Sequence, residues 1–104
     1  MEEAKQIDIH AAKNLIESQE VTIVDIRDPG AFQGGHMDKA VNLTDETIES
    51  FLRGADKNRP LLCYCYHGFS SQQAAAYFQE QGFKEVYSMI GGFEEWRSIY
   101  PAVS

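Results

Sequence analysis

The sequence has 104 residues, 43% of them hydrophobic and 24% charged, so we expect residues 1–104 to form a single domain around one core. Nine basic and sixteen acidic residues give a net charge of −7, which argues against nucleic acids and anionic membranes as partners. The longest apolar runs are too short for a membrane-spanning helix, and the acidic N-terminal sequence differs from a signal peptide, which predicts a cytoplasmic location.

The first half of the chain alternates short strands with helices. We expect an edge strand at Ile7–Ile9 and a helix at His10–Ser18 that Asp8 caps. Residues Val21–Ile26 are β-branched and almost continuously apolar, which is typical of a strand buried on both faces of a parallel sheet. A short helix follows, with Asp28 as its cap, Pro29 at its first position and Gly34-Gly35 at its end, and a brief strand is expected at 41–43.

The second half continues the alternation. Thr44 or Asp45 is expected to cap a helix that runs to about Arg53. Ser70 and Gln73 have the spacing of a capping box at the start of another helix. The remaining elements are strands at 61–65 and 86–90 and helices at 72–81 and 93–100. This order predicts an α/β fold, with a central parallel five-stranded sheet flanked by helices on both faces.

The most informative residue is Cys65, which ends a buried strand just before a short loop and a helix. We call residues 66–71 the Cys65 loop. The backbone N–H groups of Tyr66, His67, Gly68, Phe69 and Ser70 are expected to surround the sulfur, with hydroxyl donors from Ser70 and Ser71 and positive charge from protonated His67. Gly68 permits the positive φ that such a loop needs, and the helix N-terminus favours a thiolate. The sequence therefore predicts that Cys65 is a nucleophile held in an anion-binding loop.

The other cysteine, Cys63, is expected to be a buried core residue. Residues two apart on a strand are separated by roughly 6.5 Å, which does not favour a disulfide between Cys63 and Cys65. A single Cys-x-Cys pair does not complete a metal site, even if His36 and His67 are counted as further candidate ligands. We therefore expect no metal.

Two reactions use a cysteine in such a loop. Cysteine-dependent phosphatases need an arginine six positions after the cysteine to clamp the phosphoryl oxygens, and that position is Ser71. Sulfur transfer needs only backbone N–H groups to stabilise a persulfide anion, so the sequence fits this reaction better. A phosphatase or arsenate reductase remains an alternative, and a persulfide carrier loaded by a desulfurase is another.

Three segments resemble the signatures of one family. The segment Val24–Phe32, with Gly35-His36 and residues 40–43, resembles the first signature of the rhodanese family, and Gly91–Trp96 resembles its C-terminal signature. The loop from Cys65 through Ser70 has the length of a rhodanese loop. The resemblance covers nearly the whole chain and is to the short, single-domain thiosulfate sulfurtransferases of that family.

The resemblance implies a reaction in two steps. Cys65 takes the outer sulfur of thiosulfate and releases sulfite, and its persulfide passes the sulfur to cyanide or to a dithiol such as thioredoxin. The persulfide on Cys65 is the only carrier that this chemistry requires, so no cofactor is expected. The loop lacks the cationic side chains of the larger two-domain rhodaneses, which predicts weak binding of thiosulfate.

Three further residues are interpreted as supports of the site. Asp25 and Arg27, at the end of a predicted strand, are expected to brace the loop from below, with an anion contact by Arg27 and a weak surface ion pair as the alternatives. His36 is interpreted as a structural, hydrogen-bonding histidine. Phe69 is expected either to fold over the sulfur or to contact a partner protein.

Overall fold

The sheet of this protein is parallel throughout. The structure, a computed structural model, describes residues 4–104, and its five strands are β1 (Lys5–Ile7), β2 (Thr22–Asp25), β3 (Val41–Asn42), β4 (Leu61–Tyr64) and β5 (Val86–Met89). Their order in the sheet is β1-β5-β4-β2-β3, and every pair of neighbours is parallel. The predicted five-stranded α/β fold is therefore confirmed.

Five helices connect the strands. They are α1 (Ile9–Ser18), α2 (Pro29–Gly34), α3 (Ile48–Gly54), α4 (Ser70–Glu80) and α5 (Gly92–Ile99). Asp8 and Asp28 cap α1 and α2 as expected, because their side chains accept hydrogen bonds from the N–H groups of Ala11 and Ala31. No helix within residues 4–104 is both long and apolar enough to cross a membrane.

Each face of the sheet carries its own hydrophobic core, because successive residues of a strand point to opposite faces. Leu62 and Tyr64 of β4 pack on the side of α1 and α5, against residues that include Ile9, Phe93 and Trp96. On the other face, Leu61 and Cys63 pack with side chains of α3 and α4, such as Phe51, Ala75 and Phe78. Residues on both faces of β4 are fully buried, which explains the continuous apolar run in its sequence.

Several predicted boundaries are wrong. The edge strand ends at Ile7, and Ile9 opens α1 and lies in the core with 1% of its surface exposed. The helix α3 begins at Ile48, because residues 44–47 form a turn. In this turn the carbonyl of Thr44 accepts hydrogen bonds from the N–H groups of Thr47 and Ile48. Neither Thr44 nor Asp45 is therefore its cap.

The helix α4 also begins earlier than expected. Its first residue is Ser70 and its N-cap is Phe69, which makes no side-chain capping bond, so the predicted capping box of Ser70 and Gln73 does not form. The backbone N–H of Ser71 instead donates a hydrogen bond to the sulfur of Cys65. The strand β4 ends at Tyr64, which leaves Cys65 as the first residue beyond the sheet.

Candidate active site

Two backbone N–H groups point at the sulfur of Cys65. The N–H groups of Gly68 and Ser71 donate to Cys65 Sγ, with N–S distances of 3.2 Å and 3.3 Å. The amides of Tyr66, His67, Phe69 and Ser70, which were also expected to surround the sulfur, make no such hydrogen bond within the described residues, although the N–H of His67 contributes to lowering the pKa of the thiol. The donor that sequence reasoning missed is the amide of Ser71, which had been expected to contribute only its hydroxyl.

The balance of forces on the thiol of Cys65 favours the thiolate. Burial is the largest influence and raises its pKa, but the hydroxyl and N–H of Ser71 and the N–H groups of Gly68 and His67 together outweigh burial, so the pKa lies below its ordinary value of 9.0. These lowering influences come from backbone N–H groups and a hydroxyl, not from cationic side chains. The influences that lower this pKa are thus backbone and hydroxyl dipoles of the loop.

Gly68 shapes the loop. Its φ of +93° lies in a region that side chains rarely adopt, and a Cβ at this residue would lie 2.9 Å from the backbone N of Gly91 and 3.1 Å from the carbonyl oxygen of Met89. Only glycine meets both conditions. Its carbonyl also accepts a hydrogen bond from Gln72 Nε2, at 3.0 Å, which ties the loop to α4.

The N-terminus of α5 holds the loop from behind. The N–H groups of Phe93 and Glu94 donate to the carbonyls of Cys65 and Tyr66, at 2.8 Å and 3.0 Å. These two amides would otherwise be unpaired at a helix start. The arrangement leaves the opposite side of the loop, with its N–H groups, free to face Sγ.

Gly92 makes this contact possible. Its φ is +60°, and a Cβ there would lie 2.6 Å from the carbonyl oxygen of Cys65 and still closer to the carbonyl of Tyr66. The second glycine of the pair Gly91-Gly92 is thus a requirement of the site rather than of a turn alone. The sequence carried the signal, because two adjacent glycines preceding a helix indicate close backbone approach.

The two cysteines differ in exposure. Cys65 keeps 6% of its surface accessible, whereas Cys63 has 0%. Burial, followed by the charge of Cys65, raises the pKa of Cys63 to about 12, so this thiol stays protonated at neutral pH. The prediction that Cys63 is a core residue is confirmed. Solvent access to Cys65 is narrower than the sequence predicts, and it suits a small reactant.

The Cys65 loop itself carries two exposed aromatic side chains. Phe69 is 77% exposed and Tyr66 is 42% exposed, and the side chains of His67 and Ser70 are also exposed. Phe69 therefore extends into solvent rather than over the sulfur. A groove of about 700 Å³ lies nearby, between α3 and α4, and its lining includes Ile26, Leu43 and Tyr77 but not Cys65.

Asp25 and Arg27 form a buried ion pair beneath this edge of the sheet. Arg27 Nη2 donates to Asp25 Oδ2 at 2.6 Å and to the carbonyl of Gly35 at 2.6 Å, and the two side chains are 3% and 0% exposed. The guanidinium also lies 4.1 Å from the ring centre of Phe93 and 5.4 Å from that of Tyr66. The pair is therefore not on the surface, and its contacts brace α5 and the Cys65 loop.

His36 is part of the framework near the C-terminus. Its Nδ1 lies 2.7 Å from the carbonyl oxygen of Phe32, and its ring stacks on that of Phe32 with centroids 3.7 Å apart. Its backbone exchanges hydrogen bonds with Val103. These contacts are those of a structural histidine. Within the described residues, no group of three or more His, Cys, Asp or Glu side chains is arranged to hold a metal.

The comparisons with known proteins agree with this geometry. Residues 8–99 match the Rhodanese-like domain family. A protein of Pseudomonas syringae pv. syringae named thiosulfate sulfurtransferase GlpE is 50% identical over 101 residues, which cover 97% of this chain and 94% of that protein. The protein of the same name from Shewanella oneidensis is 47% identical over 96 residues, or 92% of this chain and 95% of that protein. The solution structure of a rhodanese-like domain from Anabaena sp. has a TM-score of 0.86 at 26% identity and covers 100% of this chain and 80% of that one. The chain belongs to the rhodanese-like domain family.

Proposed function

We propose that this protein is a thiosulfate sulfurtransferase that carries sulfur as a persulfide on Cys65. The observation that supports it most directly is the pair of N–H groups, from Gly68 and Ser71, that donate to Cys65 Sγ. The names of the relatives, which share about half of their residues with this chain, support thiosulfate as the donor.

The first half-reaction is a displacement at sulfur. The thiolate of Cys65 attacks the outer sulfur of thiosulfate, a new S–S bond forms, and the bond to the central sulfur breaks so that sulfite leaves with its electron pair. The product is a persulfide whose negative charge lies on the newly attached sulfur, one atom beyond Sγ. The N–H groups of the Cys65 loop stabilise negative charge before and after the step, so no proton has to be supplied.

The second half-reaction returns the thiolate. A nucleophile attacks the outer sulfur of the persulfide, the S–S bond breaks, and the electron pair returns to Cys65 Sγ. Cyanide would leave as thiocyanate, and a protein dithiol such as thioredoxin is a candidate acceptor in cells. The chemistry requires no cofactor, and both the absence of one and a cytoplasmic location stay predictions.

Within residues 4–104 the hydrogen-bond donors to Cys65 Sγ are backbone N–H groups and no cationic side chain is among them, which predicts weak binding of thiosulfate. The guanidinium of Arg27 is held by Asp25 and Gly35, and the protein carries a net charge of −7, which repels a dianion. We therefore expect a high KM for thiosulfate that rises further at low ionic strength, where repulsion is least screened.

The central experiment compares the protein with its Cys65→Ser variant. We expect thiosulfate and cyanide to yield thiocyanate with the unaltered protein and not with the variant, because an alcohol is a poor nucleophile at neutral pH. Mass spectrometry after incubation with thiosulfate should show one added sulfur on Cys65 that dithiothreitol removes. Turnover by a folded Cys65→Ser protein would refute the mechanism.

A persulfide carrier is the second candidate, and the exposed aromatic side chains support it. Phe69 and Tyr66, both within the loop, offer an apolar contact to a protein that donates or accepts sulfur. A carrier would turn over thiosulfate poorly and be loaded rapidly by a cysteine desulfurase. Measuring both loading rates on the same preparation distinguishes the two functions. Hydrolysis of p-nitrophenyl phosphate or reduction of arsenate would instead favour the alternative that Ser71 argues against.

A further inference from the structure

Ser71 is the residue through which the sulfur is connected to the interior of the protein. It is fully buried, and each of its three polar groups makes a hydrogen bond outside α4. Its N–H donates to Cys65 Sγ at 3.3 Å, its carbonyl accepts from Cys63 Sγ at 3.3 Å, and its Oγ lies 2.7 Å from Ser88 Oγ. Because Ser71 is the second residue of α4, these bonds fix the start of that helix relative to the sheet.

The two interior partners of Ser71 are neighbours in the sheet. Cys63 of β4 and Ser88 of β5 are paired in register, and they are 0% and 2% exposed. A buried hydroxyl and a buried thiol next to each other are not required by hydrophobic packing, which alanine or valine would serve as well. Both side chains instead form a hydrogen bond with the same residue of the Cys65 loop, Ser71.

The proton positions follow from the chemistry of these groups. The thiol of Cys63 stays protonated at neutral pH, so it is the donor to the carbonyl of Ser71. The hydroxyls of Ser71 and Ser88 share one hydrogen bond, and the hydroxyl of Ser71 also lowers the pKa of Cys65.

We propose that Cys63 and Ser88 are positioning residues, which hold Ser71 at two points so that its N–H donates to the ionised sulfur of Cys65. Neither residue touches the substrate, and each acts through Ser71. The proposal deepens the proposed function and rests on Cys65 being the nucleophile. It assigns a role to Cys63 that is neither a disulfide partner nor a sulfur carrier.

The test measures the ionisation of Cys65 and not only its activity. The rate of alkylation of Cys65 by iodoacetamide is followed against pH, with mass spectrometry to locate the label. In Ser88→Ala and in Cys63→Ala we expect the midpoint of this profile to move upward by about half to one pH unit, since each removes support from one donor to a charged group. Alkylation below the midpoint should then be about three- to tenfold slower.

Two further variants separate hydrogen bonding from packing. Cys63→Ser keeps a donor at the same place, so its midpoint should return towards that of the unaltered protein. Val86→Ala removes buried methyl groups from β5 two residues before Ser88, on the same face of the sheet, without touching a polar group. It should lower the melting temperature and leave the midpoint unchanged.

The outcomes are distinct. Unchanged midpoints in Ser88→Ala and Cys63→Ala would overturn the proposal, and so would an equal shift in Val86→Ala. If Ser88→Ala fails to fold, Cys63→Ala and Cys63→Ser test the proposal by themselves. An equal upward shift of the alkylation midpoint in both would contradict it, because Cys63→Ser keeps a hydrogen-bond donor. Alkylation requires neither thiosulfate nor an acceptor, so failure of sulfur transfer in the unaltered protein would refute the proposed function without affecting this test.

Discussion

Replacing Gly92 with alanine should loosen the Cys65 loop from a position outside it. The φ of Gly92 is +60°, and its missing Cβ would overlap the carbonyls of Cys65 and Tyr66. The atoms that would have to move are backbone on both sides, so a small rotation of a side chain cannot relieve the contact. We expect the N-terminus of α5 to shift away from the loop.

The magnitude follows from three contributions. A left-handed backbone costs alanine about 1–2 kcal/mol. The displacement weakens the hydrogen bonds from Phe93 and Glu94 to the loop carbonyls, and each typically contributes about 0.5–1.5 kcal/mol. Together these effects predict a decrease of about 2–5 kcal/mol in the free energy of unfolding, with a decrease of at least about tenfold in sulfur transfer because the loop amides lose their fixed position.

The assay combines urea unfolding, followed by circular dichroism, with thiocyanate formation. Gly30→Ala is the matched control, because Gly30 lies inside α2 and a Cβ there meets nothing within 4 Å. That variant should be stabilised by up to about 1 kcal/mol and keep its activity. If Gly92→Ala is as stable and active as Gly30→Ala, the reasoning about α5 is refuted.

Three further predictions concern the interior. Asp25→Ala leaves the guanidinium of Arg27 buried without its carboxylate and should lower the free energy of unfolding by about 3–5 kcal/mol in urea titrations. Tyr64→Phe removes the hydroxyl that accepts the N–H of Met37 at 3.0 Å and should cost about 1–3 kcal/mol by the same measurement. The thiol of Cys63 ionises at about 12 in the folded protein and at 9.0 when unfolded, so the unfolded chain binds fewer protons between these values and stability falls with rising pH, by about 1.4 kcal/mol per unit from this group. Cys63→Ala should flatten that part of the stability profile.

Each of these has a result that would contradict it. Asp25→Ala should be compared with Glu94→Ala, which breaks an exposed ion pair with Arg97 and should cost no more than about 1 kcal/mol. Equal losses in the two variants would deny the importance of burial. A Tyr64→Phe protein with unchanged stability would mean that the N–H of Met37 finds another partner. A profile that stays as steep in Cys63→Ala would assign the alkaline loss to other groups.

Much of the fold was readable from periodicity and from single residues. The continuous apolar runs of β2 and β4 and the aspartates before α1 and α2 predicted their elements correctly, because burial on both faces and N-capping are local properties. The boundaries that failed depend on tertiary contacts. Ile9 belongs to α1, where its side chain packs in the core on that face of the sheet. The local pattern of residues 7–9 does not reveal this tertiary contact.

The position of the site was predictable from the sequence. The identity of the N–H groups that donate to the sulfur was not. The position of Cys65 after an apolar strand, followed by Gly68 and a helix, indicated a thiolate in a loop of amides. Which amides reach the sulfur depends on where α4 starts, and that start was misplaced by two residues. Ser88 was missed altogether, since a serine inside a strand has no sequence signature until the register places it beside Cys63.

The contact between α5 and the Cys65 loop also has a consequence during synthesis. The cysteine leaves the ribosome well before the segment 92–94 that fastens its loop, and before Val103, which pairs with His36. A nascent chain that has exposed Cys65 but not these residues has an ordinary thiol, with no ordered amides around it. The reactive sulfur therefore arises only once the later segment has docked, which limits stray oxidation and mixed disulfides while the polypeptide is still incomplete.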